Sequence, residues 1–102
     1  MKKTFKLSHE KLTIPRLVEA IKYEVKKYIK RERRRVLPED ADYWDFDCQF
    51  GVDEASSEVI HMSDINKLIS WAESVQLESF YLEIMAKPCH RNKPANTELD
   101  TQ

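Results

Sequence analysis

The chain has 102 residues, of which 41% are hydrophobic and 34% charged, with a formal net charge of −1. That length fits one domain, and the balance is too apolar for a disordered chain and too charged for one embedded in a membrane. The single glycine, Gly51, excludes phosphate-cradling loops, dinucleotide turns and the GxSxG elbow, all of which need several glycines for close backbone approach.

Taken in chain order, Thr4 to Leu7 alternates between polar and apolar residues, the period of a half-buried strand. Thr13 and Pro15 then open a helix. Ile14, Leu17, Val18, Ile21, Val25, Tyr28 and Ile29 trace one apolar stripe along it. The helix is expected to reach about Arg34, before Leu37-Pro38 stops it. Tyr43 to Phe50 alternates again and is rich in aromatics, which supports a second strand. A polar loop from Gly51 to Ser57 leads to a short strand over Glu58 to Met62. Ser63 is expected to cap a second helix, with Asp64 favouring its positive end. Ile65, Leu68, Ile69, Ala72 and Val75 form the stripe of that helix. Leu77 to Lys87 alternates as a last strand, and Pro88 ends the pattern.

This order is strand, helix, strand, strand, helix, strand. It predicts an α+β domain of ferredoxin-like β-α-β-β-α-β arrangement, an antiparallel sheet with two helices on one face. The domain is expected to span residues 1–88. Residues 89–102, aperiodic and holding Pro94, are expected to be a mobile C-terminal tail. No apolar run approaches the ~20 residues of a membrane span. The opening Met1-Lys2-Lys3-Thr4-Phe5-Lys6 is charged with no apolar stretch behind it, so the expected compartment is the cytoplasm and no membrane partner is expected. Cys48 and Cys89 lie far apart with no CxxC pair, which in a reducing compartment means free thiols.

The stretches Arg31-Glu32-Arg33-Arg34-Arg35, Leu37-Pro38-Glu39, Trp44-Asp45-Phe46-Asp47-Cys48, and Glu78-Ser79-Phe80-Tyr81 through Lys87-Pro88 resemble a family of small uncharacterised bacterial proteins. That family is a domain of unknown function about as long as this chain, and the similarity covers most of it apart from the last residues. The resemblance implies a bacterial, stand-alone, single-domain protein. It implies no catalytic residue.

The strongest functional feature is the end of the first helix. Lys26, Lys27, Lys30, Arg31, Arg33, Arg34 and Arg35 fall within one short segment against a single acid, Glu32. Cations near a helix C-terminus gain about 0.3–1 kcal/mol each from the macrodipole. That accounts for two or three of them; the rest repel one another unless an anionic partner or nearby acids relieve them. Glu39, Asp40 and Asp42 stand close in sequence as an internal balance. The preferred reading is a binding module that contacts an anionic partner through this helix end, with nucleic acid one candidate. The sheet is a poor candidate for stacking bases. Asp45, Asp47 and Glu83 are expected on its open face beside Tyr43, Tyr81 and Lys6, and the glycine-aromatic signature of RNA-recognition modules is missing.

The alternative is a protein-interaction or homodimerising module in which Tyr43, Tyr81 and Met85 form an exposed patch on the open face. Enzymatic activity is left open, with the residues leaning against it. Asp45 and Asp47 share a strand face, as acid–base or metal-binding carboxylates do, but Glu83 is expected on a strand at the opposite edge. His9, His61 and His90 are scattered, and no metal or cofactor is expected. Cys89-His90-Arg91 places a thiol beside cations in the tail, where an exposed, ordinary thiol is the simpler reading. Cys48 is expected inward and inert. Trp44 is expected in the core, and Trp71 beside the stripe of the second helix.

Overall fold

The computed structural model describes residues 1–91. Its elements run β1 (Lys2–Lys6), α1 (Ile14–Arg33), β2 (Tyr43–Gly51), β3 (Glu58–Ile60), a 3₁₀ turn (Met62–Asp64), α2 (Ile65–Ser74) and β4 (Ser79–Cys89). All strand pairs are antiparallel, and the sheet order is β1-β4-β2-β3.

The element order is the one expected, but the strand order is not that of the ferredoxin-like arrangement. There β2 and β4 would lie at opposite edges; here they are the two central strands, paired from Tyr43↔Cys89 to Gly51↔Tyr81. The residues explain which strands take the centre. Phe80, Leu82 and Ile84 of β4 are completely buried, and Phe46, Cys48 and Phe50 of β2 nearly so. β1 contributes only Phe5 within its strand, and β3 has three residues with Val59 exposed. The two strands with most apolar surface gain most by taking neighbours on both sides.

One sheet face carries this apolar set and packs against both helices. Phe5, Phe80 and Phe50 stack in a row, with ring centroids 5.4 and 5.2 Å apart. Val18, Ile21 and Val25 of α1 and Ile65, Ile69 and Ala72 of α2 close the core above them. Each fully buried Ile, Leu or Phe side chain contributes about 1.5–3 kcal/mol.

Helix boundaries follow local chemistry, with two departures from expectation. Thr13 is the N-cap of α1 by position, with extended backbone and Pro15 in the first turn, but its side chain makes no capping bond. Ser63 does not cap α2. It sits within the 3₁₀ turn, whose last residue, Asp64, holds the N-cap position of α2 without a side-chain bond. α2 ends in a Schellman arrangement: Leu77 N–H donates to the Ala72 carbonyl and Gln76 N–H to that of Glu73, with Gln76 at φ 59°. Gly51 is needed where it stands, because a Cβ there would meet the Ser57 Cα at 2.6 Å. The loop that follows is pinned by Asp53, whose carboxylate accepts from Ser56 N–H at 2.8 Å; that bond holds its carboxyl below the usual range.

Pro88 does not end the last strand. It pairs with Trp44 inside β4. Strand alternation sends the backbone groups of Ile84, Ala86 and Pro88 to one edge and those of Met85, Lys87 and Cys89 to the other. Ile84 N–H meets the Met1 carbonyl on the β1 side, and Asp42 N–H meets the Cys89 carbonyl on the β2 side. β1 pairs β4 only as far as Glu83. The missing proline N–H therefore faces an edge without a strand and costs no ladder bond. Cys89, placed in the tail by the sequence, is the last residue of the sheet, and Arg91 N–H donates to Asp42 at 2.9 Å. The rest of the expected tail, 92–102, lies outside the described residues.

Candidate anion-binding groove

The seven cations of the α1 end do not form one patch. Four of them, Lys26, Lys30, Arg33 and Arg34, border a groove of about 740 Å3 between α1 and the segment made by the 3₁₀ turn and the start of α2. The spacing explains this: residues four and seven apart share a helix side. Lys27 lies over the Tyr23 ring on the outer surface. Arg31 lies over Tyr28, and Arg35 over Trp44, on the opposite flank.

Two cations of that opposite flank meet an acid. Arg35 pairs with Glu32 at 2.7 Å, and Lys3 of β1 pairs with Glu24 at 2.8 Å. The third ion pair among the described residues, Lys87–Asp47, lies on the open sheet face. Glu39, Asp40 and Asp42 form no ion pair with the basic cluster among the described residues. Trp44, half-buried, donates its indole N–H to the Arg35 carbonyl at 2.9 Å and so satisfies an orphan acceptor just beyond α1.

No carboxylate is among the residues that line the groove, which are basic, apolar or neutral polar. Its floor holds Ile29 and Met62, both half-buried, over Val25 and Ile65 of the core. Arg33 has its guanidinium 5.6 Å from the Phe46 ring centroid and a nitrogen 3.9 Å from Met62 Sδ, so its charged head lies against the floor at the Met62 end. Lys22 Nζ donates to Ser70 Oγ at 2.6 Å and ties α1 to α2 at one end. Lys22 and Met62 were not singled out in the sequence. Lys22 precedes Lys26 and Lys30 at the same interval of four, a visible signal; Met62 becomes relevant only once the two helices are known to lie side by side.

The other candidates fare differently. Tyr81 is not part of an exposed patch: it is 3% exposed, between Thr4 and Gly51 in register. Its hydroxyl donates to Glu83 at 2.8 Å, which pushes its pKa up to about 12. Tyr43 and Met85 remain 38% and 42% exposed. Glu83 is not at the far edge from the aspartates. It faces Gln49, two residues from Asp47, because β2 and β4 adjoin. Asp47 is held by Lys87, whose pKa is raised by that bond and charge, and Asp45 accepts from Phe46 N–H at 2.8 Å. Among the described residues no group of three or more His, Cys, Asp or Glu is placed to hold a metal. His9 accepts from Lys11 N–H at 2.9 Å, and His61 and His90 are exposed. Cys48 is buried, which pushes its thiol up to about 11, while Cys89 is half-buried at the end of β4. Trp71 is exposed on one side and meets Phe50 edge-on.

The profile of a family of unknown function, DUF6172, matches residues 1–95. The chain belongs to this family. No curated protein and no solved structure matches it. Membership assigns no activity. Among the described residues no helix is long and apolar enough to cross a membrane.

Proposed function

We propose that this member of DUF6172 is a non-enzymatic binding module of the bacterial cytoplasm, and that it contacts an anionic partner through the groove flank of α1. One observation carries the reading. Lys26, Lys30, Arg33 and Arg34 border a groove that no carboxylate lines, and none of the four has an ion pair among the described residues. On the neighbouring flank, by contrast, Glu32 pairs with Arg35 and Glu24 with Lys3. Cations left close together repel one another, and an anionic partner relieves that cost.

The test is an amide NMR titration with a mixed pool of short RNA and DNA, and in parallel with poly-glutamate, at low and at physiological salt. The reading requires shifts at Lys26–Arg34 with at least one of these anions, weakening as salt rises. No shift with any of them at low salt refutes it.

A second reading, self-association through the open sheet face, draws support from Tyr43 and Met85, which remain exposed there. It is weaker than the sequence suggested, because Tyr81 is withdrawn. Sedimentation over a concentration series tests it, and a chain that stays monomeric excludes it.

A further inference from the structure

The groove has an aliphatic floor as well as a basic rim, and the two together restrict the occupant. Nucleic-acid surfaces for single strands offer aromatic faces on which bases stack. Ile29 and Met62 offer none, and the aromatic at the rim, Tyr23, already has Lys27 over its ring at 5.4 Å. The cations are also regularly placed. Lys22, Lys26 and Lys30 step by four along α1, and Arg33 and Arg34 continue the row. Each step of four climbs about 6 Å, the interval at which any neighbouring α-helix presents its own i and i+4 side chains. From Lys22, tied to Ser70 at one end, to Arg34 the row spans about 18 Å, or roughly three helical turns.

The geometry points to an acidic amphipathic helix of a partner protein as the occupant of this groove. Its apolar stripe would lie on Ile29 and Met62, and its carboxylates at i and i+4 would face Lys26, Lys30 and Arg33. Helix-in-groove recognition uses this combination of an apolar floor and anchors at helical spacing, and a methionine adapts its shape to the apolar side chains it receives. The inference rests on the anion-binding reading above and narrows its partner class.

Methionine methyl groups test it directly, because Met62 lies in the groove and Met85 on the open sheet face. Four probes are titrated into the full chain carrying 13C-methyl methionine. The first is a peptide of roughly sixteen residues built from Leu and Glu, with Leu at i, i+3, i+4 and i+7. The others are the same composition scrambled to abolish the stripe, poly-glutamate, and a short single-stranded RNA. The striped peptide should shift Met62, leave Met85 in place, and bind at least about tenfold more tightly than the scrambled one, a difference of about 1.4 kcal/mol. The double variant Lys26→Glu/Lys30→Glu, both positions exposed, should lose at least about tenfold in affinity for the striped peptide. If RNA, poly-glutamate or the scrambled peptide binds as tightly with Met62 unmoved, the anion-binding reading stands and the helix partner is refuted. If no probe binds, or only Met85 shifts, both fall.

Discussion

The two flanks of α1 are built from the same residue types and are finished differently. On one, Lys3 and Arg35 each meet a glutamate of the helix, and Arg31 and Arg35 rest on Tyr28 and Trp44. On the other, the cations border a groove with an aliphatic floor and no acid. The difference teaches how to read a basic run. A count of positive charges treats all seven residues alike, whereas the structure separates Arg35, held by Glu32, and Lys27 and Arg31, each over a tyrosine ring of the same helix, from the four that border the groove.

Four experiments press on that contrast. The largest effect belongs to the paired flank: Trp44→Ala removes the indole N–H from the Arg35 carbonyl and the surface under its guanidinium. It should cost about 2–3 kcal/mol in urea unfolding, below the usual range for a buried Trp because Trp44 is half-exposed. Anion affinity should change little; a large loss there would erase the distinction between flanks.

The floor beneath both flanks has its own reporter in Cys48. Its thiol stays protonated in the fold until about pH 11, against an ordinary value of 9.0 in the unfolded chain. The folded state therefore holds the proton more tightly. The contribution is fully present below pH 9 and is lost as pH rises through 11, reaching about 2 kcal/mol near pH 10.5. Thermal melts from pH 7 to 10.5 should show a loss that Cys48→Ala reduces by about that amount; an identical pH slope in the variant would mean that the thiol titrates freely.

On the groove flank, the single change Lys30→Glu should weaken poly-glutamate binding several-fold while leaving the melting temperature within about 2 °C of wild type, since surface changes away from specific contacts fall within about 0.5 kcal/mol. The smallest effect is expected for Glu32→Gln, which frees Arg35 from its 2.7 Å pair. It should cost about 1 kcal/mol or less in stability and leave the affinity for poly-glutamate unchanged. If it strengthens binding instead, the paired flank also takes part.

Much of the fold was legible because its signals are local. Alternation marked Phe46, Cys48 and Phe50 as one face, and the 3.6-residue stripe marked Val18, Ile21 and Val25. Pairing between distant strands was not legible. Nothing near Glu83 states that Gln49 will lie opposite it, and the more familiar strand order carried the expectation away from the aspartates. Tyr81 alternated as an exposed residue must, yet it is buried on the open side of the sheet. The end of α2 had no glycine to announce it, since Gln76 takes the left-handed position. The basic run was visible, but its division between two flanks needed the glutamates at 24 and 32 and the position of α2.

The outrunning end of β4 has a consequence for how the protein keeps apart from its own copies. An uncovered strand edge is a template on which another chain can crystallise its backbone, and natural sheets guard such edges. Beyond Ile84, the outward edge of β4 offers Ala86 and then Pro88. An arriving strand would find one donor and then none, because proline has no N–H. The same residue that broke the alternation in the sequence thus acts as a stop against fibrous stacking. Exchanging Pro88 for valine would extend an adhesive border without altering a single contact of the core.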